Sequence, residues 1–583
     1  MTESKNFIEN IIDQDLHEGF PPSSLRLRFP PEPNGYLHIG HAKAIAINFG
    51  LGEKYKAPVN LRFDDTNPSK EETEYVDAII NDIRWLKYNW GEITYSSDHF
   101  DTLYNWAETL IQQGKAYIDS QTSEEIAQQK GKTTVPGSNS PYRNRSLDES
   151  LKIFREMKNR KHKEGSHVLR AKINMEDPNM LLRDPVMYRI IHKSHHRTGD
   201  NWCIYPMYDW AHGQSDYCEQ VTHSLCSLEF KPHRKLYDWF IENLKDQKEK
   251  NLPLFPKQRE FARLNLAYTI MSKRTLAKLV QNKIVSGCDD PRMPTISGLR
   301  RRGYTPEAIK AFIKKVGVSK RENLIDVSLL EFCARDDLNK IANRKMVVIN
   351  PLKLTITNYP EDKIEQIKSE NNPELESAGL REIPFSKHLY IEKEDFVEEA
   401  GRKFFRLTVG KEVRLKSAYI IKAEKAIKNS KGEITEVQCV YDQKSKSGSG
   451  TEESQRKVKG TLHWVSQTHG IPIEIRDYDR LFLTPVPGEE SGDFLKDINP
   501  SSFKTRNGFA EPSLAKAAPG SKFQFQRKGY YVVDKETSLE KKVFNKTVGL
   551  RDTWNKLKAT LFFSFLFLFR LLFSFPRQLH CSQ

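Results

Sequence analysis

The sequence predicts a multidomain α/β plus all-β protein: a Rossmann-type parallel sheet interrupted by an insertion, then a helical segment and a C-terminal region of β-barrels or sandwiches. Three observations predict the α/β and β parts. Period-two apolar runs near the start each lead into a helical pattern (Leu25, Leu27, Phe29; then Val59, Leu61, Phe63), which is βαβ organisation. Two short words far apart, His38-Ile39-Gly40-His41 and Met271-Ser272-Lys273-Arg274, read as two halves of one nucleotide site. After about Arg344 the pattern turns β-like, with short strands and Gly- and Pro-containing turns. At 583 residues the chain exceeds one core, and about three to five domains are expected.

The first strand ends in a Pro/Gly-rich turn, residues 30–35, and a helix is expected from His41 to about Phe49. A doubly wound sheet presents backbone N–H groups to phosphate at such a helix start. His38 and His41 can donate to phosphate oxygens, Gly40 admits the nucleotide close to the backbone, and Lys273 supplies a mobile cation from the other side. Attack of a carboxylate on an α-phosphate needs positioning and charge stabilisation rather than a protein nucleophile. The second strand ends at Asp64, at the carboxyl edge where ligands of such sheets sit. Ser69 as N-cap with Glu72 makes a capping box for a helix striped by Tyr75, Ile79, Ile83 and Leu86.

From about His99 to Met207 the alternation stops and Lys, Arg and turns dominate; the sheet resumes from Tyr208 to about Pro256. A helical segment follows, in which Thr305 caps, Pro306 takes the first position, Ile309, Phe312, Ile313 and Val316 form the apolar face, and Gly317 stops it. Strands are expected at 346–349, 404–409 and 419–421, and residues 444–450 read as a polar flexible loop, a hairpin excursion.

A net charge of +15 and a pI near 9.2 suit a polyanionic partner. The seven cysteines are scattered without Cys-x-x-Cys or a tight Cys/His group, so neither a disulfide framework nor structural zinc is expected. His192, His195 and His196 read as solvated loop residues. No secretory signal is visible, and a cytoplasmic location is expected. The run from Leu561 to Phe575 is nearly all Phe and Leu; about fifteen helical residues span only about 22 Å, short of a bilayer core of roughly 30 Å. With Arg570 inside it, no membrane span is expected; the reading is a compositionally biased extension such as out-of-frame readthrough, with an interfacial anchor as the alternative and aggregation as its liability.

Longer runs carry a family resemblance: residues 29–41 (Phe-Pro-Pro-Glu-Pro-Asn-Gly-Tyr-Leu-His-Ile-Gly-His), 61–68 (Leu-Arg-Phe-Asp-Asp-Thr-Asn-Pro), 202–209 (Trp-Cys-Ile-Tyr-Pro-Met-Tyr-Asp) and 290–295 (Asp-Pro-Arg-Met-Pro-Thr). They resemble class I aminoacyl-tRNA synthetases, and within them glutaminyl-tRNA synthetases, from about Leu25 to about Trp554. The resemblance implies an N-terminal extension (1–23), a catalytic domain (24–98 and 208–258), an insertion that holds the tRNA acceptor end (99–207) and a helical subdomain (259–335). It further implies a proximal anticodon-binding barrel (336–385 and 475–555) and a distal one (386–474), with the tail 556–583 outside it.

By the same resemblance ATP meets Glu32, Pro33, Asn34, His38, Ile39, Gly40, His41, Ala42, Lys43, Ala44, Ser227, Arg263, Leu264, Met271, Ser272 and Lys273, with His38, His41 and Lys273 catalytic and Mg²⁺ accompanying the ATP. Glutamine meets Arg28, Asp64, Tyr208, Cys226 and Gln258; Asp64 would hold its α-ammonium, and Cys226 stands where glutamate-specific relatives place an arginine. tRNA(Gln) meets Ser319, Lys320, Arg321, Glu322, Asn323, Arg344, Arg406, Gln524 and Arg527, arginine and glutamine being suited to the edges and faces of splayed bases. A monomer is implied and no membrane partner. Departures from the family pattern are Trp210-Ala211-His212-Gly213-Gln214 in the pocket wall, Thr133 and Pro232 in acceptor-stem positions, and Lys403 in an anticodon position. The implied activity is ATP-dependent attachment of glutamine to tRNA; the alternatives are a glutamyl-tRNA synthetase of the β-barrel type and a catalytically silent tRNA-binding scaffold.

Overall fold

The computed structural model describes residues 5–552 except 70–71, 248–254 and 402. The hydrophobic run at 561–575 lies outside the described residues; within them no helix is long and apolar enough to cross a membrane.

Helix α1 (Phe7–His17) opens on a reciprocal cap between Asn6 and Glu9. Strands β1 (Leu27–Phe29), β2 (Val59–Phe63) and β3 (Ile93–Tyr95) pair in parallel, with Leu27 opposite Val59 and Leu61 opposite Ile93. Helices α2 (Ile39–Tyr55) and α3 (Thr73–Trp85) make the crossovers. The expected capping box at Ser69 is not formed: α3 begins at Thr73, Glu72 caps it without a side-chain bond, and the Ser69 N–H donates to Asn67 Oδ1 at 3.2 Å. Asn67 commits the preceding segment to an Asx turn, a local bond that competes with the helix start.

The insertion builds a second core, to which Trp210, Leu236 and Phe240 of the returning chain also belong. Helices α4 (Phe100–Gln112), α5 (Ser123–Gln129) and α6 (Leu147–Lys158) accompany an antiparallel sheet of β4 (Ala116–Asp119), β5 (Val168–Ala171), β6 (Val186–Ile190) and β7 (Ile204–Pro206). Phe100, Phe154 and Tyr188 are buried there. The chain then returns through α7 (Tyr208–Cys218), β8 (His223–Ser227), α8 (Arg234–Asn243) and β9 (Lys257–Phe261). β8 and β9 pair in parallel as a separate two-stranded sheet beside β1, where the Thr222 N–H donates to Arg26 O at 2.9 Å.

Next come β10 (Asn265–Leu266), α9 (Lys273–Gln281), α10 (Ile296–Arg302), α11 (Pro306–Val316), β11 (Leu324–Ile325) and α12 (Val327–Ile341). α11 has the bounds its sequence writes: Thr305 Oγ1 accepts from the Ala308 N–H at 3.1 Å, and Gly317 ends it in the left-handed φ region.

Two seven-stranded sheets complete the molecule. One joins β12 (Asn343–Lys345) and β13 (Val347–Val348) to strands at 471–478, 503–510, 522–525, 529–533 and 542–549. The other uses the strands between Pro351 and Ser466 except Glu365–Glu370 and Leu380–Phe385, which pair with each other as a two-stranded hairpin. This corrects the boundary expected at 385/386. The strand Pro351–Ile356 pairs with His388–Glu392 and Ile434–Tyr441, and Leu352, Ile367 and Ile383 share a core with Val437 and Trp464. Residues 404–409 form no strand, only single bridges at Leu407 and Val409. The loop at 444–450 is anchored rather than free: Ser445 is buried and its Oγ accepts from the Ile420 N–H at 2.8 Å. Arg381, on the strand Leu380–Phe385 of the separate hairpin, grips Glu511, just past the strand 503–510, at 2.6 and 2.9 Å, and Tyr390 of one large sheet stacks on Phe509 of the other.

Candidate active site

The two distant words meet. His38 caps α2, its Nδ1 accepting from the Gly40 N–H, and His41 Nδ1 accepts from the His38 N–H, each at 3.1 Å. Both rings are thereby fixed as tautomers with the remaining proton on Nε2, a donor free for a ligand. Burial, then Lys273 nearby, lowers the His38 pKa to about 4; burial and its neighbours His38 and Lys273 push His41 well below its ordinary value. Lys273 is the first residue of α9 and its ammonium donates to Asn34 Oδ1. A methyl group on Gly35 would touch Lys273 Cδ at 3.4 Å and one on Gly40 would touch Met271 Sδ at 3.4 Å, which is how tightly the segments approach. Backbone bonds Ile39 N–H to Pro294 O and Ile296 N–H to Leu37 O, each 2.9 Å, tie the first word to the segment leading into α10.

These groups share a cavity of about 1060 Å³. Glu32, Gly40, Lys43, Ala44, Ser227, Arg263, Leu264, Met271 and Ser272 line it. Asn34 reaches it through Lys273, whereas Pro33, Ile39 and Ala42 are not on its wall; Ile39 and Ala42 are core residues, since the face of α2 opposite the cavity must be buried. Pro485, Val486 and Pro487, in the loop between strands 471–478 and 503–510, close the wall, held by the Tyr268 N–H on Pro485 O at 2.8 Å.

At the other end lies a buried charge network. Arg28 gives Nε to Asp216 Oδ1 at 3.1 Å, Nη1 to Leu225 O at 2.7 Å and Nη2 to Ser224 Oγ at 2.7 Å. Arg62 gives Nε to Asp64 Oδ1 at 2.9 Å and Nη1 to Asp216 Oδ1 at 2.8 Å. His212 sits between the guanidiniums, 2.8 Å from Arg28 Nη2 and 3.2 Å from Arg62 Nη2. Burial works against the charge of Asp64, yet Arg62 and His212 hold its carboxyl below the ordinary range; Arg28 and Arg62 hold Asp216 below it as well. Tyr208 and Cys226 line the cavity here, and burial pushes the Cys226 thiol up to about 12, so it is neutral. Gln258 departs from its expected place: it is buried off the cavity wall, its Nε2 on Phe230 O and Glu260 Oε1, each at 2.9 Å. It is engaged in holding the pocket floor. Sequence reasoning singled out neither His212 as a contact nor Asp216; their signal is the i, i+4, i+8 spacing Tyr208, His212, Asp216 on one face of α7.

His195 and His196 are not solvated. His195 is buried, its Nδ1 accepting from the Arg197 and Thr198 N–H groups at 3.2 Å and its Nε2–H donating to Asp65 O at 2.9 Å; His196 Nε2 reaches Asp65 Oδ2 at 3.2 Å. Asp65 also accepts from Ser97 N and Oγ. This group has ligand-like spacing, but the His195 proton already sits on Nε2, and its bonds make it a latch between β2 and the insertion. His192 is exposed.

The expected tRNA contacts fall in two places. Ser319, Lys320, Arg321, Glu322 and Asn323 form the loop after α11, docked by the Ala262 N–H on Ser319 O at 2.7 Å. Arg344 and Gln524 face each other across paired strands, and Arg527 grips Asp395 with two bonds of 2.6 and 2.7 Å while Arg406 approaches the same carboxylate at 3.5 Å.

A nucleotide-binding parallel sheet joined to two β modules defines a class I tRNA synthetase. Residues 24–340 match the model of the class I (E and Q) tRNA synthetase catalytic domain, and 342–442 and 461–534 match the two models of the anti-codon binding domain of that group. The chain is 54% identical over 560 residues to a glutamine–tRNA ligase of Rhodopirellula baltica, covering 96% of this chain and 92% of that one. It is 52% identical to one of Enterobacter sp., covering 94% and 98%, and to one of Aliivibrio fischeri, covering 95% and 99%. It belongs to the glutamine–tRNA ligase family. Among solved structures, a glutamate tRNA ligase from Elizabethkingia meningosepticum aligns at TM-score 0.42 and 18% identity over 55% of this chain and 70% of that one, too slight a likeness to bear on fold or function.

Proposed function

We propose that this chain attaches glutamine to its tRNA at the expense of ATP. The glutamine carboxylate attacks the α-phosphorus and pyrophosphate leaves; the terminal ribose hydroxyl of the tRNA then attacks the acyl carbon of the adenylate and AMP leaves. The Nε2–H groups of His38 and His41 donate to the triphosphate and Lys273 moves from Asn34 to the oxygens on which charge builds, so stabilisation is electrostatic. Asp64 takes the α-ammonium of the amino acid, beside Tyr208. Mg²⁺ enters with the triphosphate as part of the substrate: the cavity carboxylates Glu32, Asp64 and Glu229 are bonded one by one to Asn34, Arg62 and Arg263 and do not gather into a resident site. The insertion receives the acceptor end, the β modules read the anticodon through Arg344, Arg406, Gln524 and Arg527, and the enzyme acts as a cytoplasmic monomer.

One observation carries the choice of glutamine. Arg28 spends its guanidinium on Asp216, Leu225, Ser224 and His212, and Cys226 beside it is a neutral thiol. A glutamate carboxylate would enter with no cation free to pair it, and an unpaired buried charge is costly. The silent scaffold is disfavoured because imidazole donors and a buried lysine around one cavity serve no need of a tRNA-binding shell. Charging of a mixed tRNA pool with labelled glutamine and glutamate tests the reading. Glutamine is expected on tRNA, with glutamate at least about a hundredfold slower. Lys273→Ala is expected to lose about 10²–10³ in rate with tRNA affinity kept. Equal charging by both amino acids, or an active Lys273→Ala enzyme, would sink it.

A further inference from the structure

Phe405 stands on the distal β module with 55% of its surface exposed, although its backbone is firmly held. The Phe404 N–H donates to Gly401 O and the Leu407 N–H to Asp395 O, each at 3.0 Å. Gly460 lies against the Phe405 carbonyl so closely that a Cβ there would sit 2.5 Å from the oxygen. The next residue, Arg406, turns the other way, donating to Glu394 O at 2.7 Å and approaching the Asp395 carboxylate that Arg527 grips. Lys459 Nζ lies 6.0 Å from the ring centroid, and three further exposed lysines stand on neighbouring stretches of chain, Lys403 two residues before the ring, Lys457 two residues before Lys459, and Lys411; none of the four has an ion pair among the described residues. Lys411 is brought near Lys457 and Lys459 because Glu412–Leu415 pairs in parallel with Thr461–Leu462. Elsewhere in the same module lysines such as Lys387 and Lys428 are neutralised by Glu361 and Glu398.

We propose that Phe405 is a stacking platform for one unpaired base of the tRNA anticodon loop, with the four lysines taking the adjoining phosphates. A rigidly mounted aromatic face among uncompensated cations is what single-stranded nucleic acid binds: each base offers a π-face, and the backbone supplies the anions. A protein partner fits less well, since four unpaired ammonium groups would have to be desolvated at its interface. The inference rests on the tRNA-ligase reading.

The test uses the full chain with tRNA(Gln) and a synthetic anticodon stem-loop. Phe405→Ala is expected to raise the KM for tRNA about tenfold, with kcat within about twofold and an unchanged melting temperature. Phe405→Trp should restore the wild-type KM, and Phe405→Leu should not, because bulk without a π-face cannot stack. An abasic substitution at one loop position should make wild type and Phe405→Ala bind the stem-loop equally. Wild-type behaviour of Phe405→Ala or Phe405→Leu, or the absence of any such loop position, would overturn the proposal. So would a change in self-association in place of RNA binding. If the wild-type chain charges no tRNA at all, the underlying function fails instead.

Discussion

At the scale of single residues, burial moves the two imidazoles of the first word, His38 and His41, below the neutral range. His38 has a pKa lowered to about 4 against 6.5 in an unfolded chain, so between those values the unfolded state binds more protons. Its contribution to stability is absent below about 4, grows with pH through that window and is complete above 6.5. The melting temperature of the wild type is therefore expected to fall more steeply from pH 6.5 to about 4 than that of His38→Asn, as calorimetry at stepped pH would show. Parallel curves would contradict the assignment. The imidazoles and Lys273 were legible because each word is local and chemically loaded. Gln258 was not, because whether a polar side chain faces a cavity or a neighbouring loop is decided by Phe230 and Glu260.

Among the elements, α7 carries more than its sequence announces. Its face Tyr208, His212, Asp216 holds two arginines that are wholly buried, and Tyr237 and Ser224 complete the shell of Asp216 at 3.0 and 2.6 Å. Asp216→Ala would leave two guanidiniums short of their shared counter-charge and is expected to cost about 3–5 kcal/mol, read as a lowered urea midpoint at unchanged slope. α11 could be read to the residue because its cap, first proline and stop glycine are all local signals. The start of α3 could not, since Asn67 offers the chain a competing turn, and residues 404–409 look like a strand by composition but are held by two isolated bridges. His195 and His196 looked solvated because their partner Asp65 lies on another element, beyond the reach of spacing.

For the whole molecule, a net charge of +15 is expected to make RNA affinity an electrostatic quantity. The dissociation constant for tRNA is expected to rise at least about tenfold between about 50 and about 200 mM salt, with a linear double-logarithmic plot from filter binding. A flat plot would deny the phosphate contacts. Fold class was readable at this scale from the switch between helical and β patterning. The division of the β region was not: the strand Pro351–Ile356 follows directly on β13 yet pairs within the other sheet, a choice made by long-range partners. One wall of the nucleotide cavity is Pro485, Val486 and Pro487. During synthesis the ribosome delivers His38, His41 and Lys273 long before that wall, so a nascent chain holds every reacting group yet has no enclosed chamber. A chain that ends before residue 485 therefore lacks that wall of the cavity and the Tyr268–Pro485 bond that seats it.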